Sequence, residues 1–145
     1  MRRVKTGKPK IHIPYSEEGI EEVLKKELKQ YQGKPFYCKV LGVNVSVTRK
    51  SIDETVHNCR NNRRSAELAL CLPEIIEKAK IKQLHLPTKS NMQKKHFHFK
   101  EIAILTCNLK GKGIAKLVVG FRDNGEVVEY SITNFQPNKT SQFID

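Results

Sequence analysis

The sequence of 145 residues lacks the features that mark membrane and secreted proteins. It contains no tryptophan, and it has no apolar run of the roughly 18 residues that a membrane-spanning helix needs. Its basic beginning, MRRVKTGKPK, lacks the apolar core of a signal peptide. We therefore expect a cytoplasmic protein with no membrane partner.

The cysteine pattern excludes two further classes. Cys38, Cys59, Cys71 and Cys107 are widely spaced and never form a CxxC pair, which argues against a zinc ribbon and a thioredoxin-like centre. Three of them, Cys38, Cys71 and Cys107, lie in apolar stretches. We expect these three to be reduced thiols in the core.

Signatures of nucleotide and metal chemistry are also missing. The sequence has no Walker loop, no GxGxxG after a strand, no HExxH and no nucleophile elbow. Nucleotide hydrolysis and metalloprotease chemistry are therefore disfavoured. We expect no cofactor and no bound metal.

What the sequence has is positive charge. Its 27 lysines and arginines against 15 acidic residues give a net charge of +12. Between His57 and Arg122 there are 14 basic and 4 acidic residues, so 14 − 4 = +10 of this charge lies in that stretch. A field of this sign attracts a polyanion, either nucleic acid or anionic lipid. A solvated lysine surface that serves only solubility is the alternative.

The pattern of residues predicts four segments. Residues 1–15 form a flexible basic arm, residues 16–42 a helix capped by Ser16 and a connecting strand, residues 43–133 the main domain, and residues 134–145 a tail. In the main domain a capping box at Ser51 and Glu54 begins a short helix, and a helix over 63–80 is kinked or split at Pro73. Four stretches rich in β-formers follow, at 81–87, 96–109, 114–121 and 126–133. The predicted fold is α+β, with N-terminal helices packed on one face of a four-stranded antiparallel meander.

The turns set the register of this meander. If Asn124-Gly125 is a two-residue turn, one apolar face contains the pairs Phe121–Val128, Val119–Tyr130 and Leu117–Ile132. The opposite face then carries His96, His98, Lys100, Thr106, Lys116, Arg122, Glu129, Ser131 and Thr133. Such a face has the parts for phosphate binding and proton transfer. An ordinary solvated face is the alternative, and a one-residue slip would exchange the two faces.

Histidines and arginines suggest two places for chemistry. His96 and His98 lie on the same side of a strand, which suits acid–base catalysis or phosphate contact, and no third residue has the spacing of a metal ligand. A purely structural role at the start of the strand is the alternative. His57, Arg60 and Arg64 would share a helix face if the short helix continued through Asn61-Asn62, an arrangement that suits a phosphate. The polar segment from Lys89 to Lys95 predicts a mobile loop that either contacts a phosphate backbone or is simply solvated.

Two stretches resemble a known module: SIDETVHNCRNNRRSAELALCLPEIIEKAK, with its apolar LCLPEIIEKA helix, and HFHFKEIAILTCNLKGKGIAKLVVGFRDNGEVVEYSI. Residues 43–133 resemble the large polyvalent protein-associated and phage nuclease-like domains grouped with the barnase, EndoU, colicin and RelE fold, in which helices pack on a sheet as in ribonuclease toxins. The resemblance implies a metal-independent ribonuclease, or a binding derivative of one, carried by a phage or another mobile element. In such folds the open sheet face holds RNA, and the 2′-hydroxyl attacks the adjacent phosphate.

The resemblance also implies roles for residues. His96 or His98 would be base or acid, Arg122, Lys116 and Lys100 would be cations at the phosphate, and Ser131 and Thr133 would orient it. His57 matches a helical histidine of the family by position. The predicted catalytic residues are therefore His96, His98, Arg122, Ser131, Thr133 and His57. The predicted nucleic-acid-binding residues are Arg60, Arg63, Arg64, Lys94, Lys95, Lys100 and Lys116.

Three functions follow as hypotheses. The first is an endoribonuclease-like domain that acts by general acid–base catalysis, with a possible immunity protein or other protein partner. The second is a non-catalytic nucleic-acid-binding accessory domain of a phage or conjugative element. The third is a protein-interaction domain whose charge serves only solubility.

Overall fold

A computed structural model describes residues 12–87 and 98–135 of the chain. Within them the helices are α1 (Glu17–Leu28), followed by a 3₁₀ turn (Lys29–Tyr31), α2 (Arg49–Cys59), α3 (Arg63–Ala69) and α4 (Leu72–Lys78). The strands are β1 (Pro35–Cys38), β2 (Val43–Ser46), β3 (Lys80–Pro87), β4 (Phe99–Leu109), β5 (Gly113–Arg122) and β6 (Val127–Asn134). No helix in these two ranges is long and apolar enough to cross a membrane.

The six strands form one mixed sheet in the order β1-β2-β6-β5-β4-β3. Strands β3 to β6 are the predicted antiparallel meander, but the sheet is larger because the β1–β2 hairpin joins it at β6. That junction is parallel and consists of the pair Ser46–Val128. The prediction of one connecting strand after the first helix was wrong: a hairpin forms there because Gly42, at φ +70°, reverses the chain, and its N–H donates to Cys38 O at 2.8 Å.

Helices α1, α2 and α3 begin at polar caps. Ser16 caps α1 as predicted, and its hydroxyl accepts from Gly19 N at 3.0 Å. The capping box of α2 is one turn earlier than predicted, because Thr48 and Ser51 bond to each other's backbone N–H, each at 3.1 Å. The predicted interruption near Pro73 is confirmed, since α3 ends at Ala69 and Pro73 lies in the first turn of α4.

The main core lies between the helices and one face of the sheet. Its fully buried side chains include Leu24 and Leu28 of α1, Ile75 and Ile76 of α4, and Leu117 of β5. All four cysteines are free thiols. Cys38 and Cys107 are buried as expected, whereas Cys71 is half-buried.

The register of β5 and β6 differs from the prediction. The turn has three residues, because Arg122 N donates to Glu126 O at 2.9 Å and Gly125 adopts φ +90°. Phe121 therefore pairs with Val127, and Val119 with Glu129. A bulge at Tyr130 then adds a residue to β6 and restores the predicted Leu117–Ile132 pair. Glu129, predicted on the polar face, instead lies fully buried on the helix-covered face.

Candidate nucleic-acid interface

A row of lysine and threonine residues crosses four strands on the face of the sheet opposite the helices. Lys80 of β3 pairs with Thr106 of β4, Thr106 with Lys116 of β5, and Lys116 with Thr133 of β6. We call these four residues the lysine–threonine row. Neighbouring strands lie about 4.8 Å apart, so the row is about 15 Å long and its two lysines are about 10 Å apart. Lys80 is exposed and the other three are half-buried.

A lysine and an aromatic ring extend this row. Phe135 follows Thr133 by two residues, and its N–H donates to Ile114 O at 2.8 Å, so it continues β6 on the same face. The ammonium of the exposed Lys82 lies 5.2 Å from the centre of the Phe135 ring. A cation over an aromatic face is a favourable contact, and here it holds a positive charge beside the row.

The other half of the same face is apolar and buried. Phe99, Ile102, Val118, Val128 and Tyr130 form a second small cluster. The Phe99 ring lies directly over Gly120, where any side chain would overlap it. Ile102 and Val118 are only 4% and 7% exposed. The predicted polar, uncovered face is therefore limited to the half of the sheet that carries the lysine–threonine row.

The predicted catalytic and phosphate-binding residues are divided between the two ends of this face. Arg122 and Lys116 are six residues apart on β5, which corresponds to about 20 Å along a strand. Arg122 forms an ion pair with Glu126 at 2.6 Å and lies 5.8 Å from the Phe99 ring. Thr133 lies in the row at the far end.

The other predicted residues of this face differ in exposure. His98 is exposed, and its backbone is left-handed at φ +59°. Lys100 is exposed beside it, at a break in the β4–β5 register. Ser131 pairs with Val118 and is buried. His96, Lys94, Lys95 and the predicted Lys89–Lys95 loop lie outside the described residues, as do most of the predicted arm and tail.

His57 and Arg60 line a charged cleft of about 330 Å³ between α1 and α2. Arg60 Nη1 lies 3.3 Å from Glu21 Oε1, and Lys25 Nζ lies 2.9 Å from Glu21 Oε2. The contact with Lys25, and then that with Arg60, lowers the pKa of the Glu21 carboxyl. The cleft also contains Arg49 and Asp53, so its positive and negative charges nearly balance.

Arg63 and Arg64 lie on a separate helix. The condition under which Arg64 would share a helix face with His57 and Arg60 is not met, because α2 ends at Cys59 and Asn62 caps α3 by accepting from Ser65 N at 2.9 Å. Backbone carbonyls hold the guanidinium of Arg63, which donates to Ile13 O at 2.6 Å and to Pro14 O at 3.1 Å. Arg64 is exposed next to the β4–β5 turn.

A buried polar cluster between α2 and β6 was not predicted. Thr55 Oγ1 donates to Glu129 Oε2 at 2.7 Å, and the Tyr130 hydroxyl donates to Glu54 Oε2 at 3.1 Å. The second oxygen of Glu129, Oε1, is buried and has no hydrogen-bond partner in the described part of the chain. Burial raises the pKa of Glu129 to about 8, a net value in which the hydrogen bond from Thr55 opposes the shift and the nearby Glu54 carboxyl adds to it. The same burial raises the pKa of the Cys59 thiol to about 12.

A family model described as Large polyvalent protein-associated domain 3 matches residues 17–131. The chain belongs to this family. The match to the large polyvalent protein-associated domain extends from α1 into β6, and it includes Lys80, Thr106 and Lys116 of the row. It confirms the predicted resemblance to large polyvalent protein-associated domains, while the barnase-like nuclease fold stays a prediction. No curated protein and no solved structure matches the chain.

Proposed function

We propose that this large polyvalent protein-associated domain binds RNA through the lysine–threonine row, as a non-catalytic accessory domain of a phage or conjugative element. The observation that carries the proposal is the register that aligns Lys80, Thr106, Lys116 and Thr133 on one face. Family membership favours the mobile-element setting.

The chemistry of the row suits a phosphodiester backbone. Two ammonium groups supply point charges, and the two threonine hydroxyls donate hydrogen bonds, which are the commonest kinds of protein contact to phosphate. Paired strands fix the positions from which these side chains extend, and none of the cross-strand partners in the row is acidic. The row thus combines two lysines with two hydroxyls on one face, whereas the positive and negative charges of the cleft between α1 and α2 nearly balance.

Binding of a fluorescently labelled single-stranded RNA, followed by anisotropy over a salt series, tests the proposal. Each lysine that contacts a phosphate contributes about 0.7 to the slope of log affinity against log salt. Lys116→Gln and Lys80→Gln should each lower affinity at low salt and reduce that slope by about 0.7. Lys26→Gln, on the exposed surface of α1, makes the same charge change away from the sheet face and should leave the slope nearly unchanged.

The proposal fails if the three variants lose affinity equally, because the contact would then be diffuse charge rather than the row. It also fails if the protein does not bind RNA at low salt, and the positive charge would then serve only solubility.

Endoribonuclease activity is a second candidate, and the backbone of His98 favours it. A non-glycine residue in the left-handed region is uncommon, and such conformations concentrate at functional sites. His98 is exposed and precedes Phe99, whose cross-strand partner is Arg122. An imidazole base and a guanidinium are the groups that 2′-hydroxyl attack on a phosphate needs.

Incubation with total RNA and tRNA in excess chelator tests cleavage. The ribonuclease hypothesis expects products that end in a 2′,3′-cyclic phosphate, and it expects their loss in His98→Ala and Arg122→Ala. If the wild-type protein binds RNA and does not cleave it, the ribonuclease hypothesis is wrong and only the accessory function remains.

A further inference from the structure

A second aromatic ring with a cation over it lies beside α3. Tyr15 is 81% exposed, the largest exposure among the exposed large apolar residues in the described part of the chain. The guanidinium of Arg63 covers one face of its ring, with Cζ 4.1 Å from the ring centre. Three hydrogen bonds from Arg63 to the carbonyls of Ile13 and Pro14 fix the guanidinium, so this stack is already organised before any ligand binds.

Polar residues connect this stack to the lysine–threonine row. Arg64 follows Arg63, and a side-chain carbon at Gly113 would lie 3.9 Å from Arg64 Nη1 and 3.8 Å from Asn134 Oδ1. The Ser65 hydroxyl accepts from Asn134 N at 2.9 Å, which ties the beginning of α3 to the end of β6. Asn134 lies between Thr133 and Phe135 but on the helix-covered side of β6, so α3 and the row are on opposite faces and meet around the end of the sheet beside the β4–β5 turn.

We propose that Tyr15 is a stacking platform for an unpaired base, and that one single-stranded RNA extends from Tyr15 past Arg64 to the lysine–threonine row. The proposal rests on the function proposed above and adds the class of nucleic acid. A tyrosine with an exposed ring face offers what an unpaired base needs, since every base has a face that can stack. Bases within a duplex are already stacked on their neighbours, so duplex RNA has no face to offer Tyr15.

The same arrangement occurs twice along the path. Arg63 lies over Tyr15 and Lys82 lies over Phe135, so two points on the path present a cation beside an aromatic ring. Proteins that bind single strands without sequence preference combine a basic track with aromatic rings in this way. We therefore expect little preference for base sequence along this path.

The test compares a 12-nucleotide oligouridylate with a duplex RNA of the same length, both followed by anisotropy. Tyr15→Ala should weaken binding of the single strand by about 5- to 150-fold, the range for loss of one base–aromatic stack, and should leave duplex binding unchanged. Tyr15→Phe keeps the ring and should bind nearly as the wild type does. Tyr37→Ala is the matched control, because Tyr37 is a 55% exposed tyrosine on β1, at the edge of the sheet farthest from β3.

The outcomes separate this inference from the proposed function. If Tyr15→Ala binds the single strand as the wild type does while Lys116→Gln weakens binding, the row binds RNA and Tyr15 does not stack. If Tyr15→Ala weakens single strand and duplex equally, the effect is not base stacking and the inference is wrong. If neither substitution changes binding, both proposals fail.

Discussion

Glu129 should make the folded domain less stable as the pH rises. In the folded chain its pKa is about 8, above the ordinary glutamate value of 4.5. Between these two values the folded state holds the proton and the unfolded state does not. Stability is then lost with increasing pH, at about 1.4 kcal/mol per pH unit. Below pH 4.5 the carboxyl is neutral in both states, and above about pH 8 it is ionised in both, so the slope from this group is confined to that window.

The size of the effect follows from the same two values. Across the whole window the loss approaches about 5 kcal/mol, which is comparable with the entire stability of many small domains. Glu129→Gln places a neutral amide of nearly the same shape in the buried cluster. Its side-chain oxygen is able to accept the hydrogen bond that Thr55 gives to Glu129 Oε2. The variant should therefore show a markedly flatter dependence of stability on pH than the wild type between about pH 5 and pH 8.

Urea denaturation followed by circular dichroism at a series of pH values measures this difference. Glu22→Gln, at an exposed position of α1, controls for the change of one charge and should follow the wild-type curve apart from a constant offset. Parallel curves for the wild type and Glu129→Gln would refute the reasoning. They would mean that the buried carboxyl is ionised in the folded state, or that the cluster opens to water.

Two further substitutions probe contacts that hold the fold. Gly120→Ala should destabilise the domain by about 1–3 kcal/mol, because a side chain there overlaps the Phe99 ring. The same substitution should cost less in a Phe99→Leu background, where the ring is absent. Equal effects of Gly120→Ala in both backgrounds would show that the ring is not the cause. Arg63→Ala should cost about 1–3 kcal/mol by removing the donors to the Ile13 and Pro14 carbonyls, and Arg63→Lys should not restore the loss, since an ammonium lacks the guanidinium fork. Full stability of Arg63→Lys in thermal denaturation would contradict that reasoning.

Local signals predicted much of the architecture. Ser16 predicted the beginning of α1, and Pro73 predicted the division between α3 and α4. The β-rich stretches and their turns predicted the four strands of the meander. Each of these signals acts within a few residues of its effect, which is why the sequence alone reveals it.

The predicted register of β5 and β6 was wrong for a reason that local signals cannot show. The turn at Gly125 has one residue more than predicted, and the bulge at Tyr130 adds one residue to β6. The two changes compensate, so Leu117 and Ile132 pair as predicted while Glu129 lies on the opposite face from the one predicted. A bulge is selected by the packing of distant elements, here α2 against β6, and its position is not encoded in the alternation of the strand itself.

Parts of the candidate interface were missed because they depend on long-range contacts. Lys80 was assigned to the end of a helix, yet Ala79 is extended and Lys80 begins an edge strand that pairs with β4. Tyr15 was assigned to a flexible arm, because nothing nearby in sequence indicates that Arg63 holds the carbonyls of Ile13 and Pro14. Thr106, Lys116 and Thr133 were predicted together, since period-two alternation places them on one face without knowledge of any other element.

The single parallel pair between Ser46 and Val128 sets an order for assembly and for local opening. The hairpins β4–β5 and β5–β6 have short connections, so they close early, whereas β2 must find β6 across most of the chain. Once formed, that junction has the fewest paired residues in the sheet, so the β1–β2 hairpin should detach there before the meander unfolds. Opening at this pair would separate the β1–β2 hairpin and leave the strands that carry the lysine–threonine row folded.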